Sequence, residues 1–239
     1  MAAPSLAGFV LAGGRSTRMG MDKAMLALGD APLVQRAVAR LRRLTRQVFI
    51  LGSRPELASF APLVPDRRES CGPLGGMEAA LSSKASDWSL ILPVDMPFLP
   101  SALLACWAGA VLSQPSARVA CFVVDDVAQP ALCLLHREMQ PFLSLSAQQG
   151  QFKLYPVLAD AAEQLARRSG TSREAVFLRR SWKANEALTL FRQLEQESAA
   201  ENRNLLSSAQ RAASNLWFEN LNTPGQFAEA QHHLDALEG

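Results

Sequence analysis

The 239 residues carry 24 Lys and Arg against 22 Asp and Glu, a formal net charge of +2, and 49% of them are hydrophobic. That composition supports a sizeable core in one large domain or two small ones and excludes global disorder. The near-neutral charge gives no ground for nucleic acid or a membrane surface as the main partner.

In chain order, the first half alternates short apolar runs with longer amphipathic ones. Residues 8–12 read as a strand that stops at Gly13-Gly14. Residues 32–46 read as a helix, with Pro32 at its first position and Leu33, Ala37, Val38 and Leu41 as the apolar stripe. Strands follow at 47–53 ("QVFILGS") and 63–66 ("LVPD"). "GPLGGMEAALSS" (72–83) reads as a glycine-rich turn feeding a helix, and "WSLILPVD" (88–95) as a buried strand ending in an acid. A helix at 101–113 precedes strands at 118–124 and 130–136. Strands alternating with helices predict an α/β fold whose mostly parallel sheet is covered on both faces. In such sheets ligands bind beyond the carboxyl ends of the strands. Gly13, Gly14, Ser53, Asp66 and Asp95 all follow strand ends, so they are expected to converge on one cleft.

Beyond residue 158 the pattern changes. Residues 159–170 and 182–214 are polar, alanine-rich and helical in character, and a strand candidate, "EAVFLRR" (174–180), separates them. Residues 215–237 read as a strand, a turn at Asn222-Thr223-Pro224 and a final helix.

Cys71, Cys106, Cys121 and Cys133 form no C-x-x-C pair, and His136, His232 and His233 are the three histidines. This gives no zinc or disulfide framework and suits a reducing, cytoplasmic setting. The start of the chain has no basic run before its short apolar stretch and does not read as a signal peptide. No apolar stretch reaches the ~18 residues of a spanning helix. Neither nucleic acid nor a membrane is expected as a partner.

The decisive stretch is "LAGGRSTRMGMDKAML" (11–26). It lacks the G-x-x-x-x-G-K-[ST] of a Walker loop and the G-x-G-x-x-G of a dinucleotide fingerprint. What remains is a flexible loop whose backbone N–H groups, with Arg18 and Lys23, suit a triphosphate. A bare Gly-Gly turn with solvated cations is the plainer alternative. Asp95 in "ILPVDMPFLP" is a hard oxygen ligand on a rigid strand and suits one Mg²⁺ that shares substrate phosphates. A turn aspartate bonding its own backbone fits the same position. Arg36, Arg40 and Arg43 share one face of the helix at 32–46 and read as a solvated face. Phe98, Trp107, Phe122 and Phe142 read as core.

The stretches "LAGGRSTRMGMDKAML", "CGPLGGM" and "PVDMPFLP", in this order, resemble the molybdenum-cofactor guanylyltransferases, and "FENLNTPGQFAEA" is similar to that family's closing N-x-N-T-P segment. The likeness covers roughly 8–158 and 215–237. It implies a single Rossmann-like three-layer domain over residues 1–239, with a helical insert at about 183–214. It also implies a Mg²⁺-dependent transfer of GMP from GTP to molybdopterin with release of pyrophosphate. By the same resemblance, Leu11, Ala12, Gly13 and Gly14 line the nucleotide, Arg18 and Lys23 hold its phosphates, and Asp66 contacts the nucleotide. Asp95 carries Mg²⁺, and Asn220 and Asn222 lie on the acceptor side. The molybdoenzyme that receives the cofactor, or a delivery chaperone, is the further partner it suggests. Ser53 stands where the family can carry an asparagine, and Val94 where a cysteine is often seen.

Two other readings keep the motifs. One changes the substrates to CTP or a sugar phosphate; the other is a non-catalytic nucleotide-binding chaperone, against which Lys23 and Asp95 together speak. The insert, with a narrow stripe at Leu188, Phe191 and Leu194, is expected to lie on the main domain or a partner and to shape acceptor docking.

Overall fold

The computed structural model describes residues 4–12, 22–198 and 206–238. The strands are β1 (Leu6–Leu11), β2 (Ala27–Leu28), β3 (Ala31–Pro32), β4 (Val48–Leu51), β5 (Leu63–Val64), β6 (Trp88–Pro93), β7 (Val119–Val124), β8 (Val127–His136) and β9 (Phe177–Trp182). Seven of them form one sheet in the order β5-β4-β1-β6-β8-β7-β9, while β2 and β3 make a small separate ladder. β1 pairs in parallel with β4 and β6, β4 with β5, and β7 with β9; within this seven-stranded sheet of the described residues, β8 alone runs antiparallel, to both β6 and β7. The mostly parallel sheet expected from the alternation is therefore present. Its reversed strand follows from the two-residue turn Asp125-Asp126, both at positive φ, which returns the chain directly beside β7.

The helices are α1 (Leu33–Arg42), α2 (Gly72–Ser82), α3 (Ser101–Leu112), α4 (Gln140–Gln148), α5 (Leu154–Ser169), α6 (Arg173–Val176), α7 (Ala187–Glu197), α8 (Ser208–Ala212) and α9 (Pro224–Ala230). Side-chain alternation along β1 sorts the two core layers. Val10 joins the layer holding Val34 and Leu41 of α1, Leu104 and Trp107 of α3 and Leu194 of α7. Phe9 and Leu11 join the layer holding Leu74 and Met77 of α2, Leu143 of α4 and Leu158 of α5. Phe98, Trp107, Phe122 and Phe142 are buried, as expected of core aromatics.

Four expectations are corrected. "GPLGGM" is not a turn feeding a helix but the first turns of α2 itself. Gly72 opens the helix at a positive φ, and Gly76 serves close approach: a Cβ there would stand 3.1 Å from Leu11 and 3.2 Å from Leu51, so α2 lies directly on β1 and β4. "EAVFLRR" divides, because Ser172 accepts a hydrogen bond from the Ala175 N–H and caps α6, leaving only Phe177–Trp182 as strand. Residues 215–221 form no strand; Trp217 and Phe218 are instead inserted into the core, with the Trp217 indole N–H donating to the Gln210 carbonyl at 3.0 Å. Finally, Arg36 and Arg40 of α1 are buried and not part of a solvated face, whereas Arg43, at the end of the helix, is exposed as expected. Arg36 donates to the Leu28 carbonyl at 2.9 Å, and Arg40 donates to the carbonyls of Met96 at 3.0 Å and Pro97 at 2.5 Å. Burial pushes the Arg40 guanidinium down to about 10, opposed by the Glu238 carboxylate, which leaves it charged at neutral pH.

The apolar stripe of the expected insert lies on the main body. Phe191 and Leu194 of α7 are buried against the layer that contains α3, together with Leu190, while Leu188 packs there only partly buried; the Phe191 and Trp217 rings meet edge to face at 6.3 Å. Leu194→Ala is expected to destabilise the fold by about 2–5 kcal/mol, read as a lowered urea midpoint with an unchanged slope. A midpoint equal to that of the parent chain would mean that α7 is not part of the cooperative core.

Candidate nucleotide site

β5, β4, β1 and β6 are mutually parallel, so their carboxyl ends open on one edge of the sheet. Ser53, Asp66 and Asp95 follow those ends, as the sequence predicts, and Ala12, read from sequence as the last residue of the first strand, follows β1. Gly13, Gly14 and Arg18 lie outside the described residues. Leu11 is buried at the end of β1, and its carbonyl accepts from the Val94 N–H at 3.2 Å, which keeps the tips of β1 and β6 together.

Asp22 accepts from the Ala24 N–H at 3.0 Å and caps a single 3-10 turn, Lys23–Met25. That turn aims Lys23 across the edge. Its ammonium donates to Asp95 Oδ2 at 2.9 Å and to Asn222 Oδ1 at 2.6 Å, with Lys23 and Asp95 only 17% and 20% exposed. Three residues from the opening loop, the end of β6 and the segment before α9 thus meet at one ammonium. The last segment is held by its backbone: the Leu221 N–H donates to the Asp95 carbonyl at 2.9 Å, and the Asn222 Nδ2 donates to the Asn220 carbonyl at 3.3 Å. A capping box between Thr223 and Gln226 then starts α9, and Gln226 Oε1 also accepts from the Asn222 N–H at 2.8 Å. Asn220 contributes to this arrangement through its carbonyl. Arg40 holds the backbone next to the site, since its two carbonyl partners, Met96 and Pro97, immediately follow Asp95.

At the far end of the edge, Asp66 lies beside α2, with a carboxylate oxygen 3.5 Å from where a Cβ on Gly75 would stand. Burial, and then the negative charge of Glu78, raises its carboxyl above the ordinary aspartate range. Glu78 is fully buried on α2 and accepts from Arg68 and, at 2.7 Å, from Ser144. Burial works against its ionisation, but those hydrogen bonds and the Arg68 charge outweigh it and hold the carboxyl below the ordinary glutamate value.

Ser53 does not enter this arrangement. It is exposed, and its side chain makes no hydrogen bond among the described residues. The next residue does: Arg54 donates to the Ala12 carbonyl at 3.0 Å and ion-pairs with Asp22. Sequence reasoning missed Arg54, although a cation just past a strand end in a parallel sheet was a signal for it.

No group of three or more His, Cys, Asp or Glu side chains that could hold a metal occurs among the described residues. Asp95 has one oxygen on Lys23, which leaves the other for a hard cation. One carboxylate fits Mg²⁺ only where phosphate oxygens and water complete the octahedron, which is the usual arrangement in phosphoryl-transfer sites. The four cysteines are free, and no described helix is long and apolar enough to cross a membrane.

The model of the MobA-like NTP transferase domain matches residues 8–211. A molybdenum cofactor guanylyltransferase of Xanthomonas euvesicatoria pv. vesicatoria is 36% identical over 168 residues, 66% of this chain and 85% of that protein. Another, from Serratia proteamaculans, is 34% identical over 163 residues, 66% of this chain and 80% of that one. In fold, the chain is similar to molybdopterin-guanine dinucleotide biosynthesis protein A from Archaeoglobus fulgidus, with a TM-score of 0.62 at 17% identity over 97% of this chain and 100% of the other. It is also similar to 2-C-methyl-D-erythritol 4-phosphate cytidylyltransferase from Thermus thermophilus, with a TM-score of 0.55 at 13% identity over 96% and 98%. At those identities the two structures speak for the architecture alone, an α/β nucleotidyltransferase fold. Since the domain match runs from the first strand to α8 and takes in the Lys23–Asp95 pair, the chain belongs to the MobA-like NTP transferase family.

Proposed function

We propose that this protein transfers GMP from GTP to the terminal phosphate of molybdopterin, releasing pyrophosphate and forming the guanine dinucleotide cofactor. The observation that carries the reading is the meeting of Lys23, Asp95 and Asn222 at the carboxyl edge of β1 and β6. The two guanylyltransferase relatives support the choice of substrates.

GTP lies along the edge with its nucleoside toward Asp66 and its phosphates toward Lys23. From β5 to β6 is three strand spacings, about 14 Å, which suits an extended nucleotide. Leu11, Ala12, Gly13 and Gly14 border it, and Arg18 and Lys23 neutralise its phosphates. The acceptor approaches from the side of Asn220 and Asn222. An oxygen of its terminal phosphate attacks the α-phosphorus of GTP. A new P–O bond forms, the bond from the α-phosphorus to the bridging oxygen breaks, and pyrophosphate carries away the electron pair. The attacking oxygen is already anionic at neutral pH, so no general base is required. The barrier lies in bringing two polyanions together. Lys23 lowers that repulsion, Asp95 and Asn222 fix the direction of its ammonium, and the backbone bond from Leu221 to Asp95 holds the acceptor-side segment in register. When bound, Mg²⁺ held by Asp95 supplies further neutralisation of the phosphates.

Incubation of the protein with molybdopterin, Mg²⁺ and either GTP or CTP tests the assignment. We expect a kcat/KM at least ~10²-fold higher for GTP, because polar groups built for one base are left unpaired by another. Equal turnover of the two nucleotides would exclude the guanylyl assignment, and no pyrophosphate release with either would exclude the transfer itself.

A further inference from the structure

Residues 13–21 hold the glycines and two of the cations of the opening loop. Of the residues that flank this segment, Ala12 ends the chain coming from β1 and Asp22 begins the turn carrying Lys23. Arg54, which follows β4, reaches both: one Nη donates to the Ala12 carbonyl at 3.0 Å, and the other pairs with Asp22 Oδ2. The remaining Asp22 oxygen accepts from the Ala24 N–H at 3.0 Å. The connection therefore runs from Arg54 through Asp22 to the turn that aims Lys23 at Asp95 and Asn222.

We infer that Arg54 is a positioning residue for Lys23: its forked guanidinium joins Ala12, at the end of β1, to Asp22 and through Asp22 sets the direction of the Lys23 ammonium. The inference rests on the nucleotide-site reading above and assigns the residue no contact with the reacting atoms. Arginine suits the task because its planar fork serves two acceptors at a fixed angle, whereas a lysine ammonium would reach one. Arg54 and Asp22 are about one-third exposed, 33% and 30%, so their pair adds little to global stability while directing local geometry.

The test uses Arg54→Met, Arg54→Lys, Asp22→Asn and the double variant Arg54→Met/Asp22→Asn. We expect Arg54→Met to lower kcat/KM for GTP by roughly 10²-fold, mostly through KM, with an unchanged urea midpoint. Arg54→Lys should recover only part of the loss. Asp22→Asn should reproduce most of it, and the double variant should be no worse than Arg54→Met, since both changes break one connection. Losses that multiply in the double variant would overturn the inference, because Arg54 would then act on the nucleotide independently of Asp22. An Arg54→Met variant with normal kinetics would overturn it as well. Hydrogen exchange separates this from the functional reading. In Arg54→Met without any substrate, the Ala24 amide should exchange faster than in the parent chain, whichever nucleotide the parent uses. Unchanged protection at Ala24 would sink the positioning role even if guanylyl transfer is confirmed.

Discussion

Asp95→Ala should reduce turnover by ~10²–10³-fold or more while leaving the fold intact. The carboxylate has two tasks in the proposed site. One oxygen holds the Lys23 ammonium at 2.9 Å, and the other is available to a divalent cation on the phosphates. Alanine removes both. The structural tie at this position survives, because the bond from the Leu221 N–H runs to the Asp95 backbone carbonyl at 2.9 Å and needs no side chain. Arg40 likewise holds the backbone of Met96 and Pro97 and not Asp95 itself. The discriminating measurement is pyrophosphate release under saturating GTP, set beside a urea unfolding curve. Near-normal turnover would remove Asp95 from the chemistry, and a collapsed unfolding midpoint would make it structural.

Lys23→Ala should lower kcat/KM several hundred-fold, within the ~10²–10³ lost with one preorganised electrostatic contact. The ammonium lies between Asp95 and the Asn222 amide oxygen at 2.6 Å, so its position is set before any substrate arrives. Its loss leaves the acceptor-side segment attached through Leu221 but removes the positive charge facing the phosphates. A partly exposed ion pair contributes only about 0–1 kcal/mol to stability, so the midpoint should hardly move. Lys23→Arg should not rescue fully, because a planar guanidinium cannot occupy the place of a compact ammonium between two acceptors. An effect confined to the unfolding curve, with kcat/KM preserved, would assign Lys23 to the scaffold.

The sequence by itself determined the strands of the sheet core and the place of Asp95 at the end of one of them, whereas the meeting of Lys23 with Asp95 and Asn222, 72 and 199 residues away, is tertiary. Apolar runs that end in glycine or acid are local signals, and a parallel sheet carries whatever follows its strands to one edge. That is why Gly13, Gly14, Ser53, Asp66 and Asp95 could be grouped before any coordinates. The same rule named Ser53 where the neighbouring Arg54 turned out to point inward, since strand ends give the place and not the direction of a side chain. Only the tertiary structure decided the rest. Arg40 looks like one member of a charged helix face until Met96 and Pro97, 56 and 57 residues away, present their carbonyls to it. Gly76 of α2 looks like part of a turn until Leu11 and Leu51, at 3.1 and 3.2 Å from where its Cβ would stand, show that crowding and not backbone conformation disfavours a side chain there. Residues 216–218 have the composition of a strand, but Trp217 is buried beside Phe191 with its indole N–H on the Gln210 carbonyl, which satisfies both the apolar and the polar part of its ring without a ladder. In each case the partner is distant in sequence, and local pattern carries no information about which distant group will satisfy a buried polar or aromatic side chain.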